Sequence, residues 1–203
     1  MISLILVIVI PTVLISYQGF SNSDFKEKSL FVPYQVKYQK EYYRIFSHIF
    51  IHADFIHLSF NMISLYFLGS LLENEWNYAF GIQANFYLIA LYFGGAIAAT
   101  LWPYFRNAEN PAYRSLGASG AVSAVIFAAM LWNPKIELYL FPIPIPIKAY
   151  VLAPLYLVFE YYSLKRGGSG IAHDAHIGGA LFGILFVLLI DFTKGIEFLG
   201  LLF

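Results

Sequence analysis

The chain has 203 residues, of which 60% are hydrophobic and only 12% charged, with a mean hydropathy of +0.68. A soluble domain is nearer half apolar and a quarter charged, so these values exclude a globular enzyme on a single anchor and indicate a polytopic membrane protein. Twelve basic residues balance twelve acidic ones, which argues against a nucleic-acid partner, and the absence of Cys excludes disulfides, thiolate metal sites and a cysteine nucleophile.

Six apolar segments follow one another, each to be compared with the ~20 residues a helix needs to cross ~30 Å of hydrocarbon. The first, about 1–17, has neither a basic leader nor a small-residue cleavage site, and reads as a retained span with a kink or break at Pro11. The connection at 18–56 holds Asp24, Lys26, Glu27, Lys28 and Lys37, then turns aromatic in "YYRIFSHIFIHADF". It is too long for a simple loop and too amphipathic for disorder, which predicts a lateral structure partly embedded in the bilayer. Core spans follow at about 57–75, 83–102, 118–132, 148–164 and 171–191. Between the fourth and fifth, "FPIPIPI" (141–147) alternates proline and reads as a stiff extended connector. No internal repeat or second domain is visible. The expectation is an all-α bundle of six transmembrane helices forming one domain over 1–203, with its core at 57–191.

The connections after spans 1, 3 and 5 carry Lys26, Lys28, Lys37, Lys40, Arg44, Arg106, Arg114, Lys165 and Arg166, against Lys135, Lys148 and Lys194 on the other side. Counting positive charge puts the first group in the cytoplasm, although a connection lying in the interface weakens the count.

Spans 2, 4 and 6 cross in the same direction, so their polar residues can be compared in depth. Span 4 stops at Asn133–Pro134, and Ser119 lies ~21 Å before that end at 1.5 Å per residue. His176 lies ~22 Å before Asp191, where span 6 ends. With span 2 ending around Glu73, His57 and Asn61 stand ~24 and ~18 Å from it. Four polar side chains thus share a layer below one surface. Span 4 is also only ~24 Å long, so its start is submerged and reached by the irregular segment 103–117, which must be covered by protein or line a wet cavity.

Ser119 then sits at a helix N-terminus whose free N–H groups suit a developing oxyanion, and Gly117 and Gly120 let a peptide approach it. Gly179 and Gly183 form a GxxxG face that predicts close packing of span 6 on the small stripe Ala121, Ala124 and Ala128 of span 4. That approach would bring the His176 imidazole to the Ser119 hydroxyl as general base and nucleophile. His57 and Asn61, four apart on one helix face, could donate to the oxyanion together with the Ser119 backbone N–H.

With "HxxxN" at His57–Asn61, "GASG" around Ser119 and "AHIGGALFG" from Ala175 to Gly183, the chain resembles the rhomboid intramembrane serine proteases from about Tyr42 onward. The resemblance implies a six-span core, Ser119 as nucleophile, His176 as base and His57 and Asn61 as oxyanion donors. It also implies transmembrane protein substrates cut near helix-breaking, small-residue ends, and no cofactor. Arg44 in "YYR" and Glu73 after span 2 match the family's structural polar positions, with Tyr43 where Trp is frequent. Bacterial relatives can place an aromatic four residues after the nucleophile, stacked on the histidine; here Ser123 stands there, so another group must hold His176. The likeness implies a multi-pass protein of a bacterial inner membrane with a cytoplasmic N-terminus and a site opening to the external side, opposite to the charge count.

Bland readings compete residue by residue. Ser119 alone could be a packing residue, His176 a hydrogen-bonded core histidine, and His57 and Asn61 partners of buried backbone. His173 reads as structural or cavity-lining, His48 and His52 as packing groups of the first connection, and Asp174 as facing the aqueous rim. A metal hydrolase could use the five histidines, with His48–His52 and His173–His176 at ligand spacings, but there is no HExxH. A catalytically dead rhomboid-like protein that binds helices is the other rival. A transporter would show repeat symmetry or charged midplane residues, and neither is expected here. The aromatic span 5, with Tyr150, Tyr156, Phe159, Tyr161 and Tyr162, is the candidate gate. Oligomeric state is not legible.

Overall fold

The computed structural model describes residues 3–139, 145–168 and 170–203. Helix α1 (Leu4–Ser21) is mostly apolar and runs through Pro11 without the expected break. Proline removes only one amide donor, and the helix continues around it, with Thr12 Oγ1 donating to the Ile8 carbonyl at 2.7 Å. The first connection folds into short helices α2 (Ser23–Ser29), α3 (Pro33–Tyr38) and α4 (Arg44–Ser47), the last running into a 3₁₀ turn at His48–Phe50.

Helix α5 (Phe55–Phe80) begins where Asp54 accepts the His57 N–H at 2.8 Å, an N-cap, and carries a π turn at Leu65–Gly69. It ends at Gly81, whose φ of 58° suits glycine. The expected end at Glu73 is therefore corrected. Glu73 is buried inside the helix, where its carboxylate accepts from Ser3 Oγ at 2.5 Å and Leu4 N at 2.6 Å. A charge that caps the first turn of α1 does not have to reach solvent, so the helix runs seven residues past it. The ~24 and ~18 Å depths measured from that end lapse with it.

Helix α6 (Gln83–Asn107) is five residues longer than expected, and α7 (Ser119–Trp132) starts one residue later than expected, at Ser119 itself. A two-stranded antiparallel ribbon departs from the all-α expectation: β1 (Glu137–Tyr139) pairs with β2 (Pro146–Lys148), Glu137 opposite Lys148. Of the "FPIPIPI" connector, 141–144 lie outside the described residues, and Pro146 and Ile147 are extended within β2. Helices α8 (Ala149–Arg166), α9 (His173–Ile190) and α10 (Thr193–Leu199) complete the chain.

The fold is 75% helical, and among the described residues four helices (α1, α5, α6 and α9) are long and apolar enough to cross a membrane. Helix α7 is shorter because it is the centre: nearly every residue from Gly120 to Trp132 is buried. Its neighbours approach at backbone distance. A Cβ on Gly179 would lie 2.0 Å from the Gly120 carbonyl oxygen, and one on Gly183 2.1 Å from that of Ala124. On another side, a Cβ on Gly95 of α6 would meet the Ala124 methyl at 2.4 Å. The expected GxxxG contact is present, but its floor is Gly120 and Ala124. Ala121 lies beneath Gly95 of α6. Where lipid is as apolar as any side chain, such close backbone packing is what associates helices.

Candidate active site

Three segments set the geometry around the start of α7. Gly117 has φ 115°, and a Cβ there would sit 2.7 Å from His57 Cε1. The position therefore demands glycine twice, by conformation and by the histidine ring against it. Gly117 N–H donates to the His48 carbonyl at 2.9 Å, and Ala118 N–H donates to His52 Nε2 at 3.2 Å. His52 Nδ1 is thereby left to carry the proton, which it donates to Ser16 Oγ at 2.8 Å, while Ser16 Oγ donates to the Phe50 carbonyl at 2.9 Å. His48 Nδ1 donates to the Arg44 carbonyl at 2.9 Å. Burial pushes His48 down to about 4 and His52 down to about 3, the nearby His57 adding to the second, so both rings remain neutral. The first connection thus clamps the irregular segment that presents Ser119.

Ser119 opens α7, where first-turn N–H groups have no intrahelical acceptor. Its Oγ lies 2.8 Å from His176 Nε2, across the α7–α9 seam. Both line a cavity of about 730 Å³ with His57, Asn61, Phe60, Ile126 and Tyr156. The four polar residues expected in one layer therefore meet in one hollow. Asn61 Nδ2 donates one hydrogen to the His57 carbonyl at 2.8 Å, leaving its other hydrogen for a ligand. Ala53 N–H points at His57 Nδ1 at 3.5 Å, the outer limit of a hydrogen bond.

The remaining expected residues fall around this hollow. Arg44 is buried, and its guanidinium donates to the carbonyls of Glu27, Lys28 and Leu30 at 3.0, 2.8 and 2.9 Å, closing the end of α2. Asp174 is buried at 5% exposure, where an aqueous rim was expected; its Oδ1 accepts the Ala175 N–H at 3.0 Å in the first turn of α9.

One residue escaped the sequence reading. Glu160 on α8 is 3% exposed, with Oε1 3.1 Å from His176 Nδ1 and Oε2 2.5 Å from His173 Nδ1. It is an acid inside the segment read as span 5, where the sequence reading had singled out only aromatic residues. Its signal was present in "YLVFEYY", a lone acid in an apolar aromatic run, and such residues are functional by default. It also answers what stands near His176 in place of an aromatic at Ser123.

The histidine-rich metal site expected as an alternative is not assembled from five rings. His48 and His52 engage backbone and Ser16, whereas Glu160, His173 and His176 bring ligand atoms within 4.8 Å of one another. The 2.5 Å between His173 Nδ1 and Glu160 Oε2 is a hydrogen-bond distance. Two ligands ~2.0–2.1 Å from one tetrahedral zinc stand ~3.3 Å apart, so this pair fits a hydrogen bond better than a shared ion.

Comparison with known proteins shows the family. The family model of the Rhomboid domain matches residues 39–191. The chain belongs to the rhomboid family. Among curated proteins it is similar to the RHOMBOID-like protein 12, mitochondrial, of Arabidopsis thaliana, 30% identical over 140 residues. That match covers 64% of this chain and 41% of the relative, so the chain spans less than half of the relative's length. Rhomboid membership and the apolar helices make this a multi-pass membrane protein. The relative's name is mitochondrial, and the match lends no support to the bacterial inner membrane expected from the sequence.

Proposed function

We propose that this rhomboid is an intramembrane serine endopeptidase acting on transmembrane segments of other proteins, as one domain of six crossings with α7 and α8 as the fourth and fifth. The observation that carries this reading is the 2.8 Å contact between Ser119 Oγ and His176 Nε2 at the floor of an open cavity. Ser119 Oγ attacks the scissile carbonyl carbon as His176 Nε2 takes its proton. The tetrahedral oxygen is met by the Ser119 N–H, His57 and the free hydrogen of Asn61. Collapse breaks the C–N bond, and His176 returns the proton to the leaving amine. Water then attacks the acyl-serine, giving a proton to His176, which passes it back to Ser119 Oγ as the acid departs. The apolar part of the lining, Phe60, Ile126 and Tyr156, suits a segment drawn from lipid. On this reading the protein needs no cofactor, and in the family's orientation the cavity opens externally.

A fluorophosphonate probe tests the proposal. Expected is covalent labelling mapped to Ser119, lost in Ser119→Ala and His176→Ala together with cleavage of a model transmembrane substrate. Asn61→Ala is expected to lower turnover by roughly 10²–10³ at most, as loss of one oxyanion donor does. Cleavage undiminished in Ser119→Ala would leave a hydrolase with another nucleophile in its place, and a parent that neither labels nor cleaves would leave the helix-binding reading.

A further inference from the structure

We infer that Glu160 is the third member of a Ser119–His176–Glu160 triad, holding the base from α8. The inference rests on the proposed serine mechanism. An ionised carboxylate only accepts hydrogen bonds, so with Glu160 Oε1 3.1 Å from His176 Nδ1 the imidazole proton sits on Nδ1. Nε2 then presents its lone pair to the Ser119 hydroxyl at 2.8 Å, the tautomer that proton abstraction requires. When Ser119 gives up its proton, the imidazolium forms beside a negative charge at 3% exposure, where little water competes. A buried carboxylate inside a membrane helix is costly unless its oxygens are satisfied. Here the second oxygen accepts a hydrogen bond from His173 Nδ1 at 2.5 Å, and the Tyr156 hydroxyl lies beside the same group. His173, itself buried, is thus the residue that orients the carboxylate. The arrangement has no other evident use: Glu160 is the only acid of α8, the rest of its buried positions being Ala149, Leu152 and Ala153.

The reaction needs no further reactant for this role. Glu160 keeps its charge throughout, and the proton it faces stays on Nδ1 while Nε2 gains and loses one.

The test measures kcat and KM of the full chain in proteoliposomes against a model transmembrane substrate, for the parent, Ser119→Ala, Glu160→Gln and Glu160→Asp. Expected for Glu160→Gln is a kcat lower by about 10²–10⁴-fold with KM within about threefold, since an amide in this place favours the wrong tautomer. Fluorophosphonate labelling should slow in step, while Glu160→Asp recovers at least about tenfold of the loss by restoring the charge. A Glu160→Gln kcat within about threefold of the parent would overturn the triad, as would Glu160→Asp no better than Glu160→Gln, which assigns the loss to packing. Should Glu160→Gln not fold, Glu160→Met removes the carboxylate without burying an amide, and the same kcat outcomes decide. Activity lost to a chelator and restored by Zn²⁺ would make Glu160, His173 and His176 a metal centre and also overturn it. Ser119→Ala separates the two levels: if it still cleaves, the serine mechanism fails whatever Glu160 does; if it is dead while Glu160→Gln is normal, only the triad fails.

Discussion

The α7–α9 seam and helix α8 flank the same cavity but are built in opposite ways. Along the seam, Gly179 and Gly183 rest on the backbone of Gly120 and Ala124 with no side chain between them, so Ser119 and His176 are fixed by main-chain contact. Helix α8 buries only four residues, and Leu155, Val158, Phe159 and Tyr162 are more than half exposed. The nucleophile and base therefore inherit the rigidity of the core, while Glu160 arrives on a helix with few such anchors. This difference fits the sequence-based guess that the aromatic span 5 is the part of the bundle that yields to a substrate.

The comparison breaks most visibly at the seam. In Gly179→Val the new Cβ would stand 2.0 Å from the Gly120 carbonyl oxygen, and no flexible side chain is there to give way. The helices must separate, so the expected result is a loss of more than about 4 kcal/mol of stability, or no folded protein, together with all cleavage. Thermal unfolding in detergent and substrate cleavage check it. A folded, active Gly179→Val would mean that the seam is not what places the serine.

How much of this was legible follows the same division. The GxxxG contact, the short central helix and the meeting of Ser119 with His176 could be read because each depends on local spacing: small residues every fourth position, and a helix too short for the bilayer. Which small residues form the floor could not be read, since Gly120 and Ala121 differ only in rotation about α7. The end of α5 was misplaced because a charged residue ordinarily signals a helix reaching water, whereas Glu73 is hydrogen-bonded by donors about seventy positions earlier, at Ser3 and Leu4. Glu160 was passed over for a related reason. Its partners His173 and His176 come from the next helix, and no periodicity within α8 points to them.

The first connection offers a smaller, pH-dependent test of what supports the seam. His48 and His52 are held at about 4 and about 3 by burial, against ~6.5 in an unfolded chain. Between those values the unfolded state binds more protons, so stability is full above pH ~6.5 and declines as pH falls towards ~4. Each ring contributes a slope of about 1.4 kcal/mol per pH unit in that window. In His52→Gln, which keeps an acceptor for the Ala118 N–H, the unfolding midpoint should fall less steeply with acid, leaving about 2 kcal/mol less destabilisation at pH 5. Parallel pH curves for the two proteins would show that His52 is not held neutral by the fold.

The smallest expected effect lies on the outer face of α8. Leu155 is 57% exposed, and with α8 as the proposed fifth crossing that face meets acyl chains that are as apolar as leucine. Leu155→Ala removes three carbons from lipid contact and leaves no cavity inside the bundle. The expected change in stability is within about 0.5 kcal/mol, read from unfolding in detergent beside Gly179→Val. The contrast matters more than either value. Position 155 loses most of a side chain and position 179 gains three carbons, so a scale based on residue size alone would rank them alike. If Leu155→Ala instead destabilised the protein by several kcal/mol, α8 would be packed against a surface as demanding as the seam. The idea of one rigid and one yielding wall around the serine would then have to be abandoned.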